Sequence, residues 1–236
     1  MRQVKSIILF AAIALLPAIA SSQIALPRED DLLFRTEFVR LIDLNWPQSK
    51  EVFGEDNMIS TILFDAVKEG KIRAYEDVKM SKERPAGDML EKLAIDSNYV
   101  LAPEYLTEIE LGEDLIFDRN RSEHYFIPRY LAVYISEKQH PYGFKEPWAV
   151  FRFEDVATVF REDERAWNTD RLSGRKKLNY ADIFVLKSFY SETVKIGHAH
   201  DRYFDQLYTD KVSAFVASKE AEARLIEFLY KLYNPM

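Results

Sequence analysis

The chain contains no cysteine. That absence excludes disulfide bridges, thiol catalysis of the Cys–His kind and attachment as a lipoprotein through a cysteine. Glycine is almost as scarce, with seven residues that never come closer together than 16 positions. A phosphate cradle of the Walker or dinucleotide type needs several glycines within a few residues, so neither can be built here. The Gly-x-Ser-x-Gly elbow of serine hydrolases is also missing. Histidine is limited to four residues, of which His124 and His140 stand alone.

Long hydrophobic runs are confined to the N-terminus. Met1–Ala20 has a basic start (Arg2, Lys5), an apolar run from Ile7 to Ile19 and a small-x-small step at Ala18-Ile19-Ala20. The run is shorter than the ~20 residues a spanning helix needs, so it reads as a secretory leader, residues 1–20 or 1–22. An exported protein is the expectation, with residues 23–236 forming a single domain. Loss of Arg2 and Lys5 with the leader takes the net charge from −7 to −9. An acidic surface disfavours nucleic acid as a partner and suits basic protein partners. At 47% hydrophobic residues the chain has enough apolar material for a core that stands without bridges.

The pattern along the chain predicts an α+β fold, a small central antiparallel or mixed sheet flanked by N- and C-terminal helices. Helices are expected over Glu29–Leu44, ended by Trp46-Pro47, and over Asn57–Gly70, where Ile59, Ile62, Leu63, Ala66 and Val67 form one stripe. Lys71–Tyr75 alternates as a short strand. Ser81–Ala94 reads as a loop, part of an insertion near residues 81–107. Tyr125–Ser136 and Trp148–Phe153 read as a hairpin joined through the His140-Pro141-Tyr142-Gly143 turn, with Trp148 and Val150 on one face and Ala149, Phe151 and Phe153 on the other. Glu154–Arg161 follows as a helix burying Val156, Val159 and Phe160. Asn179 caps a helix carrying Ile183, Leu186, Tyr190 and Val194, which Gly197 stops. Ser218–Leu232 closes the chain as a helix, with Leu225, Phe228, Leu229 and Leu232 at helical spacing.

Candidate chemistry is sparse. His198-x-His200, with Asp201 and Asp205, is the best metal candidate, although a lone His-x-His pair is more often a solvated segment. Carboxylate pairs such as Asp155 with Glu162 and Asp163 are expected by chance among 39 acids. The basic cluster Arg171, Arg175, Lys176 and Lys177 reads either as a solvated loop or as a surface that meets an acidic face of the next identical subunit. The second arrangement is heterologous and builds rings or filaments.

Five landmarks then occur in one order: Phe38–Asn45 (FVRLIDLN), Ala66–Tyr75 (AVKEGKIRAY), Gly112–Ser122 (GEDLIFDRNRS), Pro147–Phe153 (PWAVFRF) and Asp182–Tyr203 with its closing Asp201-Arg202-Tyr203. Together they resemble the gliding-motility GldN/PorN family. The strand at Trp148 departs from the family's Tyr-Tyr-Pro ending, and Leu115 stands where an aromatic is expected. The resemblance implies a non-enzymatic, exported subunit without cofactors. It implies self-association into a periplasmic ring of the type IX secretion machinery, bound to an outer-membrane lipoprotein of the GldK/PorK type. The rival reading is a periplasmic hydrolase or a carbohydrate- or metal-binding protein, using Trp148, the acids or His198 and His200.

Overall fold

The computed structural model describes residues 27–54, 58–94, 100–140, 142–169, 176–197 and 202–234. Two compact units divide the chain, Met1–Asp30 and Asp31–Met236, and all that follows concerns the second.

Five antiparallel strands form the sheet, in the order β4-β3-β2-β1-β7: β1 (Leu32–Asp43), β2 (Glu108–Asp118), β3 (Glu123–Ile135), β4 (Glu146–Arg152) and β7 (Glu192–Ile196). A separate ribbon pairs β5 (Trp167–Thr169) with β6 (Lys176–Asn179). The helices are α1 (Pro47–Phe53), α2 (Met58–Lys68), α3 (Ala86–Leu93), α4 (Phe153–Glu162), α5 (Tyr180–Val185), α6 (Phe204–Leu207) and α7 (Lys211–Tyr233). This is the α+β class that the sequence pattern predicts.

The segment expected to be the first helix is the strand β1, with β2 on one side and β7 on the other. Its apolar residues satisfy helical spacing, but Phe34, Thr36, Phe38, Arg40 and Ile42 also alternate, and pairing on both edges decides the outcome. Trp46 and Pro47 begin α1 instead of ending a helix, since proline suits the first helical turn. The helix expected up to Gly197 stops at Val185, because Lys187 turns the chain at a positive φ of 54°. Residues 192–196 then alternate as β7, burying Thr193 and Lys195. Gly197 follows that strand. A Cβ there would lie 2.7 Å from the Thr36 hydroxyl, so glycine permits the close approach to β1.

Two smaller expectations also change. Residues 71–75 contribute only isolated bridges, from Tyr75 to Glu83 and Val150. Ser81–Ala94 carries α3, whose Met89 and Leu93 are fully buried, so its polar look conceals a one-sided helix. The second helix and the two hairpin strands stand where the pattern puts them, and the closing helix runs Lys211–Tyr233, starting about two turns before the expected Ser218.

The main core lies on one face of the sheet. Ile42, Ile109, Leu111, Leu131, Val133, Ala149 and Phe151 meet Ile59, Ile62 and Leu63 of α2, Val156 and Phe160 of α4, and Tyr180 and Phe184 of α5. Trp148 joins this face beside Ala149, although strict alternation would put it with Val150. The β3–β4 register slips between Val133 and Tyr134, and the extra residue of that bulge re-aims the indole inward. Its N–H donates to the Met89 carbonyl at 3.0 Å. The opposite face carries Tyr130, Ala132, Tyr134 and Val150 with Tyr75.

Candidate functional site

Strand β2 carries four buried acids, Glu110, Glu113, Asp114 and Asp118, in its eleven residues. Burying carboxylates is costly unless each is paired, and these are. Alternation sends Glu110 and Glu113 to opposite faces, and each collects a cluster of its own.

Glu113 is fully buried on the core side. Its carboxylate accepts from Arg40 Nε at 2.7 Å and from Lys187 Nζ. The Arg40 guanidinium lies 4.4 Å from the Phe38 ring centre and 5.1 Å from that of Phe126, and the Lys187 ammonium lies 4.6 Å from Phe126. Two cations on one anion, framed by aromatic faces, form a closed ionic core. Burial lowers the Lys187 pKa, and Glu113 works against that shift. Lys187 follows α5 at a positive φ of 54°.

Glu110 occupies the other face. It accepts from Lys145 Nζ at 2.7 Å, from the Tyr134 hydroxyl at 2.9 Å and from the Tyr203 hydroxyl at 3.1 Å. Tyr130 lies flat over Gly112, where a Cβ would come within 2.0 Å of its ring. Burial, reinforced by the Glu110 charge, raises the pKa values of Tyr130, Tyr134 and Tyr203 well above the ordinary tyrosine range. Next to this cluster Lys195 pairs with Glu37 at 2.5 Å and lies over the Tyr203 ring. Asp114 binds Arg35 at 2.7 Å. Through Tyr203, this face of the sheet holds the start of the C-terminal arm, α6 and α7.

An acidic groove lies between α2 and the end of α4, with a volume of about 290 Å³. Asp65, Glu69, Glu162, Asp163 and Glu164 line it against Lys71 and Arg165, and Arg165 bridges Asp65 and Asp163.

Of the residues that sequence reading singles out, several lie outside the described residues. Arg171 and Arg175 lie outside the described residues. Lys176 and Lys177 are in β6, where Lys176 faces Thr169 in the register. His198, His200 and Asp201 lie outside the described residues. Among the described residues no group of three or more His, Asp and Glu side chains is placed to hold a metal. Trp148 has no exposed surface, which removes the sugar-stacking role of the rival reading. Asp155 and Glu162 stand at opposite ends of α4, roughly 10 Å apart along its axis. Among the described residues no helix is long and apolar enough to cross a membrane.

Sequence reading missed Glu110 and Glu113 as cluster centres. The only local signal is the alternation of acids with Ile109 and Leu111, which announces a two-faced strand but not that both faces are covered.

Fold and clusters together define an α+β protein in which the charged residues of the central strand lock the sheet and anchor a C-terminal helical arm. Over residues 27–234 the chain matches the family model described as gliding motility associated protein GldN. It therefore belongs to the GldN family, whose members are components of gliding motility and type IX secretion. No curated protein matches the chain.

Proposed function

We propose that the chain is an exported, non-enzymatic structural subunit of the type IX secretion and gliding machinery. It acts in the periplasm on the inner side of the outer membrane, as one domain from residue 23 to 236 after loss of its leader. It binds an outer-membrane lipoprotein of the GldK/PorK type and associates with further copies of itself into a ring. The observation that carries this reading is the family match over residues 27–234, which leaves almost nothing of the chain beyond the leader for an unrelated activity. The placement of the charges supports it: Glu110 and Glu113 are engaged in holding the sheet and are closed to solvent. With no cysteine, membrane attachment depends on another protein, which suits a lipoprotein partner.

For the ring, a heterologous contact needs two different faces of opposite sign on each copy. The basic cluster Arg171, Arg175, Lys176 and Lys177 supplies one, and the acidic groove between α2 and α4 is a face of the other sign.

The test is affinity capture of the tagged protein from periplasmic and outer-membrane fractions, with mass spectrometry of what co-purifies. Recovery of an outer-membrane lipoprotein with other secretion components supports the reading. Recovery of the chain alone from both fractions overturns it.

A further inference from the structure

The longest helix, α7, has two apolar sides. One is engaged: Ala214, Ser218 and Leu229 are buried, and Leu225 and Leu232 pack with Leu229 against Leu115 and Phe117. The far side is bare. Val212 is 72% exposed, Val216 48%, Ile226 67% and Tyr230 67%. With Lys219 and the exposed Ala223 between them, these residues follow spacings of 4, 3, 4, 3 and 4. That is the a/d repeat of a coiled-coil seam, laid along the side of the helix that nothing among the described residues covers.

We propose that this seam pairs with the same seam of a second copy of the chain, antiparallel, about a two-fold axis near Ala221. This deepens the self-association part of the function proposed above and does not depend on the lipoprotein. In that register Val212 meets Tyr230 of the other copy, Val216 meets Ile226, and Lys219 meets Ala223. Large residues face smaller ones, and Ala223 leaves room for the lysine stem. Charge selects the direction. Lys219 already bonds Glu222 in its own chain at 3.0 Å. An antiparallel partner brings its own Glu222 within a turn of that ammonium, whereas a parallel one stacks Lys219 on Lys219 in the same layer. A lipid surface is the poorer occupant. Glu220, Glu222 and Glu227 offset three of the four basic residues of the helix, Lys211, Lys219, Arg224 and Lys231, and the chain as a whole is acidic.

From Val212 to Tyr230 the seam is about 27 Å long on a helix about 10 Å wide. That strip is small beside the ~1,600 Å² of a standard interface, so pairing in isolation is weak and concentration-dependent. Within a larger assembly, other contacts raise the effective concentration and complete the pairing. A two-fold contact closes on itself, so it supplies paired building blocks, and ring growth uses a different surface.

The absence of cysteine makes the test clean. Sedimentation of the purified exported chain over roughly 1 μM to 1 mM should show the mass rising from one chain toward two, with dissociation in the micromolar-to-millimolar range. Ile226→Glu should weaken pairing by at least about tenfold, while the melting temperature stays put because the side chain is already exposed. Under mild oxidant, chains carrying Val216→Cys mixed with chains carrying Ile226→Cys should form more mixed disulfide than either forms with itself. A mass that stays at one chain at every concentration overturns the proposal. So does preferential self-linking of Val216→Cys, which marks a parallel pair, or binding to anionic vesicles that is abolished by Ile226→Glu without any pairing. Each of these leaves lipoprotein capture untouched, so the two readings fail separately.

Discussion

At the scale of single residues, Glu113 is the most sensitive position. Its carboxylate has no exposed surface and pairs with both Arg40 and Lys187. Removing one member of a buried ionic cluster leaves the others charged and unpaired, which costs about 3–5 kcal/mol. Typical domain stability is only about 5–15 kcal/mol, so Glu113→Ala should remove a large part of it. Guanidinium unfolding checks this: the midpoint falls sharply for Glu113→Ala, and Glu113→Gln falls too, because shape is kept but charge is not. A midpoint shift of a few tenths of a kcal/mol would show the cluster to be dispensable.

The three tyrosines at Glu110 make a second residue-scale prediction. In the folded protein their hydroxyls hold their protons above the ordinary range, whereas in the unfolded chain they ionise near pH ~10. The folded state therefore binds more protons at alkaline pH. The stability they contribute is intact below about pH 10 and is lost above it, with a slope of roughly 1.4 kcal/mol per pH unit for each tyrosine. Thermal melts between pH 8 and 11 should show that fall, and Tyr203→Phe should make it shallower. An unchanged slope in Tyr203→Phe contradicts the assignment of that hydroxyl to the cluster.

At the scale of elements, the capping of α5 ties two helices together. Asn179 is buried, its side-chain oxygen accepts from the Ala181 N–H at 2.9 Å, and its amide donates to the Phe160 carbonyl at 2.6 Å. Asn179→Ala should cost about 2 kcal/mol, the loss of a cap plus an orphaned carbonyl at the end of α4. Asn179→Ser keeps a neutral capping oxygen and loses the donation to Phe160, so it should fall between wild type and Asn179→Ala in a denaturant titration.

This cap is legible in the sequence, as are α2, the β3–β4 hairpin and α4, because each is specified by residues close together. β1 is not. Its alternation of Phe34, Thr36, Phe38, Arg40 and Ile42 competes with an equally good helical spacing, and partners 65–86 residues away in β2 and 151–158 residues away in β7 decide between them. The helix expected through Val194 fails for a different reason. A lysine at positive φ breaks it, and no rule of composition predicts that from Lys187 alone. The clusters at Glu110 and Glu113 stay hidden because their partners, Tyr203 and Lys187, lie 93 and 74 residues away. The family landmarks were more readable than the local structure. Gly112–Ser122 carries the resemblance and also holds Glu113, Asp114 and Asp118, three of the buried acids of β2.

At the scale of the whole molecule, the charges are divided between two uses. Those on β2 lock the sheet and hold the arm from inside. Those of the acidic groove between α2 and α4 line a surface of their own, and the proposed ring contact sets the basic residues of 171–177 against it. α7 takes part in both: its inner side packs under β2, and its outer side presents an apolar seam. The chain arranged this way belongs to the GldN family of gliding motility and type IX secretion components, and the proposed assembly draws on both of these surfaces.

The most direct measurement is electron microscopy of the complex captured through the tagged chain from outer membranes, beside the same preparation from cells carrying charge reversals at Arg171, Arg175, Lys176 and Lys177. Closed rings containing the chain and its lipoprotein, lost or broken open by the reversals, are the expected result. Capture of the chain with no ordered assembly, in wild type as in the reversal variant, would contradict the proposed role as a structural ring subunit.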